Sequence, residues 1–170
     1  FENIDKSFVG KPSYTNGAAY ADLDNDGDLD IVLNNLNSNS TILENLSENK
    51  NSHISITLKG DKNYPITRGS KIKIFSEEKQ WVRENIVTRG FQSSSSHKVY
   101  FGLGETGQID SIVVRWPDGL FQTEKNIAVN QELIINKRNE GKASKIFDEK
   151  SSEFSLKILP FKHKENGFYD

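Results

Sequence analysis

Five aspartates alternate along nine residues, Asp22-Leu23-Asp24-Asn25-Asp26-Gly27-Asp28-Leu29-Asp30, so carboxylates stand at positions 1, 3, 5, 7 and 9. A hard cation such as Ca²⁺ takes six to eight oxygen ligands at about 2.3–2.6 Å. Side chains at alternate positions converge on one point when the chain curls. Gly27, sixth in the run, lets the chain turn sharply because positive φ costs glycine little. The pattern assigns side-chain ligands to Asp22, Asp24, Asp26 and Asp30, with the backbone carbonyl of Asp28 between them. It matches the first half of an EF-hand loop and departs from the second, where position 12 is Leu33 instead of a bidentate glutamate. Ile31-Val32-Leu33 then reads as a strand, which predicts a calcium loop between β-strands. The plainer alternative is a metal-free acidic turn. Against it, five carboxylates packed without a counter-ion repel one another, and Leu23, Leu29 and Ile31 suit an ordered, partly buried loop. Mg²⁺ fits less well because it keeps its waters and demands a tight octahedron.

Other candidate chemistry is weaker. Ser93 to Ser96 has no G-x-S-x-G elbow around it and reads as a polar loop or strand edge, although His97 stands beside it. His53, His97 and His163 lack any paired metal-ligand spacing. Gly102-Leu103-Gly104 with Gly107 matches a dinucleotide loop incompletely and has no βαβ context. Asp110 and Asp118 form a conceivable acid–base pair, but Asp118 within Pro-Asp-Gly is a good turn residue. Trp81, Trp116 and Phe121 offer either a sugar-stacking surface or core packing, and packing is the simpler reading. The sequence therefore predicts no catalytic residues.

The elements around the loop are strands. Ile31–Leu33 and Thr41–Leu43 are short apolar runs separated mainly by turn formers, and His53–Leu58 and Lys71–Phe75 alternate with period two. Gln80–Thr88, Val99–Phe101, Ile112–Val114 with Trp116, and Leu133–Ile135 complete the series, punctuated by Lys59-Gly60-Asp61, Arg68-Gly69, Gly102 to Gly107 and Pro117-Asp118-Gly119. No segment keeps a 3.6-residue period for three turns. The expected fold is all-β, an antiparallel β-sandwich or barrel-like domain. The polar stretch Lys137–Glu153 reads as a linker, and the short apolar unit from Phe154 to Asp170 is too small to fold alone.

Composition narrows the class. The chain has 170 residues, 22 basic and 24 acidic side chains, and neither cysteine nor methionine. A mean hydropathy of −0.65 and the lack of any apolar run near the ~20 residues of a membrane-spanning helix predict no membrane insertion. Residues 1–50 carry 9 acidic and 3 basic groups, and residues 51–170 carry 15 and 19, so an acidic head precedes a mildly basic body. Near-neutrality overall predicts no nucleic-acid partner. With no cysteine there is neither a disulfide framework nor a thiolate site. A chain without methionine reads as processed or as a piece of a longer protein.

The segments Gly17-Ala18-Ala19-Tyr20-Ala21-Asp22 and Asp30-Ile31-Val32-Leu33-Asn34-Asn35 bracket the acidic loop, and together they resemble an FG-GAP or VCBS repeat, the calcium-carrying blade unit of integrin-type β-propellers. The body resembles the ASPIC/UnbV domain through Arg89-Gly90-Phe91-Gln92-Ser93-Ser94-Ser95-Ser96, Phe101-Gly102-Leu103-Gly104, Ile109-Asp110 to Val114, Trp116-Pro117-Asp118-Gly119 and Asn130-Gln131. The resemblance implies a partial propeller-type repeat over residues 1–50, an ASPIC/UnbV-like β-domain over 51–137, and a linker with the start of a following repeat over 138–170. It also implies a fragment of a large exported bacterial protein, extracellular or at the cell surface, with flanking repeats as neighbours. The expected function is a non-enzymatic, calcium-stabilised binding or structural module that engages protein or glycan. The alternative is a glycan-active enzyme, or its accessory domain, using the serine and aromatic loops.

Overall fold

The structure, a computed structural model, describes residues 14–46, 51–63 and 65–138. His163, the unit from Phe154 and most of the expected linker lie outside the described residues. Ten strands run in chain order: β1 (Tyr14–Ala21), β2 (Asp30–Leu36), β3 (Thr41–Leu43), β4 (Ser52–Lys59), β5 (Lys71–Ser76), β6 (Lys79–Glu84), β7 (Val99–Gly104), β8 (Gln108–Arg115), β9 (Phe121–Ala128) and β10 (Gln131–Asn136). Among the described residues there is no helix. The described residues are all-β, as the period-two patterning requires.

Three sheets form, ordered β1-β2-β3, β10-β4-β7 and β6-β5-β8-β9. The second and third build the body. Ile54, Ile56 and Leu58 of β4, Phe101 and Leu103 of β7, and Ile135 of β10 share one core cluster with Ile72 and Ile74 of β5, Ile112 and Val114 of β8, and Trp116. Each strand contributes alternate residues, because successive side chains point to opposite faces. Trp81 packs against this cluster and Trp116 is buried within it, so both tryptophans serve packing. Two expectations are corrected. The sheets do not close into a barrel, and the body is not wholly antiparallel, because β10 runs parallel to β4, with Leu133 opposite Ile56. A strand that returns after a long connection can enter a sheet in either direction, and periodicity does not encode which.

Local chemistry explains the element boundaries. β6 stops at Glu84 instead of continuing to Thr88 because Asn85, buried, turns inward: its amide donates to the Ser70 carbonyl at 2.8 Å and its Nδ2 to the Thr67 carbonyl at 3.1 Å. β9 is polar from Gln122 to Asn126, yet it holds its place through Gln122. That side chain, 1% exposed, donates to Glu124 and to the Asn136 carbonyl and accepts the Arg138 amide.

Lys137 belongs to the body, not to a linker. Its side chain is buried, and its Nζ lies 2.7 Å from Asp118 and 3.2 Å from Asp61, while its amide donates to the Lys59 carbonyl. Asp118 is thereby a structural acid. Burial pushes its carboxyl up, but the hydrogen bond from Lys137 and the Leu120 amide outweigh this and hold it below the usual carboxylate range. Lys137 is raised, chiefly by its bond to Asp118.

The head sheet β1-β2-β3 is antiparallel throughout. Asn35, buried in β2, holds it together by accepting from Thr15 Oγ1 and donating to the Asn39 carbonyl and to Thr41 Oγ1. Its outer edge strand meets the serine-rich loop of the body. A Cβ at Gly17 would stand 2.8 Å from Ser93 Oγ and 3.4 Å from the Phe91 carbonyl, and the Arg89 guanidinium lies 5.7 Å from the centre of the Tyr20 ring.

Two predictions follow from this packing. Ile74→Ala, at a fully buried position, should cost about 2–5 kcal/mol in a urea melt, whereas Ile134→Ala, 48% exposed, should stay within about 0.5 kcal/mol of wild type. The Lys137 cluster sets a pH dependence. A depressed carboxyl stabilises fully above its unfolded value near pH 4 and loses that contribution as pH falls through the folded value. The raised lysine loses its contribution only as pH climbs past about 10. Asp118→Asn should therefore lower the melting temperature at pH 7 and lie much closer to wild type at pH 3. An equal deficit at both pH values would contradict the assignment.

Candidate metal loop and adjoining cleft

The acidic loop leaves β1 at Ala21 and enters β2 at Asp30, so the two strands fix its ends side by side, Ala21 opposite Asp30. Within it the aspartates organise one another. Asp24 Oδ1 accepts the Asp26 amide at 3.2 Å and Asp26 Oδ1 accepts the Asp28 amide at 3.0 Å. These are Asx turns, which curl the chain two residues at a time. Asn25 at φ 65° and Gly27 at φ 97° complete the curl.

The curl brings Asp22, Asp24 and Asp26 together, with one carboxylate oxygen from each lying within 4.8 Å of the others. Oxygens that share one cation at about 2.4 Å are at most about 5 Å apart, so the spacing suits a shared ion. Asp28 lies beside this group. Its carboxyl is raised, first by burial and then by Asp26, Asp30, Asp24 and Asp22. Asp22 Oδ1 and Asp28 Oδ1 are both buried with no hydrogen-bond partner among the described residues. Orphaned carboxylate oxygens next to a convergent all-oxygen donor set fit a hard cation. Such an ion would hold the loop through Asp22, Asp24 and Asp26 and supply the positive charge that the aspartates lack.

Asp30 is placed differently from its neighbours. It is 2% exposed, and its Oδ2 accepts the Leu23 amide while Oδ1 accepts the Asn45 amide, each at 2.9 Å. Those two bonds hold its carboxyl below the usual range. Asp30 thus ties both ends of the loop to the turn after β3. Any part it takes in metal binding uses lone pairs left over from that work.

The loop meets the body at Gly27. A Cβ on Gly27 would overlap the imidazole of His53 on β4. His53 is itself held by Asn130, whose amide donates to the His53 carbonyl at 2.6 Å while its Oδ1 accepts the His53 amide at 2.9 Å. Asn130 occupies the left-handed region, at φ 57°, just before β10.

Between the loop and the sheet β10-β4-β7 lies a cleft of about 960 Å³, open on one side. The loop forms one wall, through Asp22, Asp26 and Asp28. The floor is the outward face of β7, where Tyr100, Gly102 and Gly104 alternate with the buried Val99, Phe101 and Leu103. The far rim is an ion pair, Lys98 Nζ to Glu132 Oε2 at 3.1 Å, with Glu132 Oε1 also accepting from Thr57. Lys98 is raised, chiefly by Glu132, and Asp22 across the cleft adds to the shift.

The remaining sequence candidates do not assemble. Ser93 Oγ donates to the Phe91 carbonyl at 2.8 Å, and Asp110 accepts the Glu77 amide while Asp118 holds Lys137. His97 lines a separate groove with Arg68. Gly102 and Gly104 lie in a strand, not a phosphate loop. Lys98, Tyr100 and Glu132 belong to no motif in the sequence, and His53 reads there as an ordinary strand histidine. One signal for them is visible in hindsight: Tyr100, Gly102 and Gly104 on one face of a strand leave it almost bare.

Residues 60–143 match the family described as ASPIC and UnbV. The match takes in the serine-rich loop, the cleft floor and the Trp-Pro-Asp-Gly turn, and the acidic loop lies before it. No curated protein matches the chain.

The Gly27–His53 contact yields a cycle. Gly27→Ala places a side chain at positive φ, costing about 1–2 kcal/mol, and also displaces the imidazole. In denaturant melts, His53→Ala should recover the steric part of that loss and leave the backbone part. If the double variant is no more stable than Gly27→Ala alone, the loop does not rest on His53.

Proposed function

We propose that this chain is a non-enzymatic, calcium-stabilised binding or structural module of a larger secreted or cell-surface protein. The head, residues 1–50, is read as a partial FG-GAP/VCBS-type repeat, with flanking repeats of the parent protein as its neighbours. One observation carries the reading: Asp22, Asp24 and Asp26 converge within 4.8 Å, next to two buried carboxylate oxygens with no partner among the described residues. Calcium at this point offsets repulsion among the aspartates and stiffens the loop that meets the body at His53. The ion thereby fixes how head and body join, and the module presents protein or glycan contacts from that rigid frame. An extracellular setting agrees with it, since loops of this kind in extracellular modules bind calcium at about 10⁻⁴–10⁻³ M.

The test is a thermal melt of the whole chain with calcium, with magnesium and with chelator. Calcium at a hundredfold excess over Kd should stabilise by about 2.7 kcal/mol. Asp22→Asn and Asp26→Asn should each reduce the shift, and magnesium should give less. A melting temperature indifferent to calcium and chelator would remove the metal and with it this reading.

A further inference from the structure

We propose that the cleft between the acidic loop and β7 is a binding site for a neutral saccharide, seated on Tyr100 and the bare strand beside it. The inference deepens the module function above and rests on it for the position of the loop wall.

The floor gives the first reason. Tyr100, Gly102 and Gly104 line the cleft, and a Cβ built at Gly102 or Gly104 would meet nothing within 4 Å, although at Gly104 the φ of 64° also favours glycine. Nothing among the described residues fills that space. The result is an open strip of strand, irregular at the Gly104 end, with a tyrosine at the other, His53 opposite Gly102 and Ser55 opposite Tyr100. Such a surface accepts a flat ring with an apolar face, and tyrosine adds a polar tip to an apolar body.

The walls give the second. They consist mainly of amides, carboxylates and hydroxyls, with Lys98–Glu132 at one end and the aspartate loop at the other. Carboxylates accept and amides both donate and accept, which matches the paired hydroxyls of a sugar ring. Charge excludes other occupants. Asp22, Asp26, Asp28 and Glu132 face the space against Lys98 and stay in excess of positive charge even with a divalent ion on the loop, so phosphate-rich or acidic ligands are repelled. The lining is also too polar for an apolar ligand, since pockets for those are predominantly hydrophobic. At about 960 Å³ the cleft lies within the range of small-ligand sites, roughly 300–1,000 Å³.

The experiment is an array of neutral hexose and N-acetylhexosamine oligomers probed with the full chain, with calcium and with chelator, followed by calorimetry on the best glycan. The Cβ of Gly102→Leu enters open space, so the variant should melt no lower than wild type and should bind glycan more than about tenfold less tightly, or 1.4 kcal/mol. Tyr100→Ala should weaken it similarly. Phe91→Ala, an aromatic 68% exposed on the serine-rich loop, should not. No neutral glycan bound in calcium, or binding that survives Gly102→Leu, overturns the proposal. A calcium-dependent melting shift without glycan binding would sink the cleft and leave the module reading intact. Glycan binding through Gly102 without any calcium shift would keep the cleft and sink the metal.

Discussion

Head and body meet where residue 27 has no side chain. The acidic loop lies against the His53 imidazole, and any Cβ at Gly27 would occupy the ring's own volume. The same residue sits at φ 97°, so the glycine meets two independent demands, a turn and a close approach. From that contact a short chain of interactions runs into the body. His53 is gripped on both its amide and its carbonyl by Asn130, and Asn130 opens β10, the strand that runs parallel to β4 in the core sheet. The position of the loop is thereby tied to the sandwich, and the cleft owes its second wall to this tie. A second join, at Gly17 against Ser93 with Arg89 over Tyr20, keeps β1 from rotating about the first.

Within the loop, similar side chains take opposite roles because their surroundings differ. Asp30 receives two backbone amides and its charge is favoured. Asp28 is half-buried, with one oxygen unpartnered among the described residues and like charges around it, and its charge is disfavoured. The first acts as a staple and the second as a source of strain. Asx turns at Asp24 and Asp26 hold the curl in the meantime. Those turns set the curve through backbone bonds, while Asp22, Asp26 and Asp28 line the cleft with like charge.

Patterning in the sequence was readable wherever one face of a strand is buried. His53–Leu58 and Lys71–Phe75 alternate because Ile54, Ile56, Ile72 and Ile74 all point into one core. β1 was illegible because Gly17, Ala18, Ala19 and Ala21 carry little β-propensity, and β1 is held by pairing with β2 instead. β9 was illegible because its buried residue is the hydrogen-bonded Gln122, which looks polar from sequence. Lys137 misled for the same reason: a lysine reads as solvated until Asp61 and Asp118 are found beside it. The aspartate run was legible as a convergent site through its spacing alone. Asp30's engagement with Leu23 and Asn45 was not, since the Asn45 amide lies fifteen residues away.

The motif strings of the body acquire physical roles that a family match does not supply. Arg89 to Ser93 forms the seat for β1, which explains a glycine at 90 with φ 97° and a glutamine at 92 with φ 48° within one tight loop. Trp116 and Asp118, from the Trp-Pro-Asp-Gly turn, separately supply a core side chain and the partner of a buried lysine. Phe101 and Leu103 fill the core while Gly102 and Gly104 leave the other face of the same strand open. Gly104 stands at φ 64°, which by itself accounts for a glycine. Gly102 is not in that region, and stability alone would not keep it bare, since glycine in a strand gives up side-chain packing and conformational entropy. An open strip bordered by an aspartate loop on one side and an ion pair on the other is what a binding surface requires, and that is the reason to look for the module's ligand there before its exposed aromatic loop.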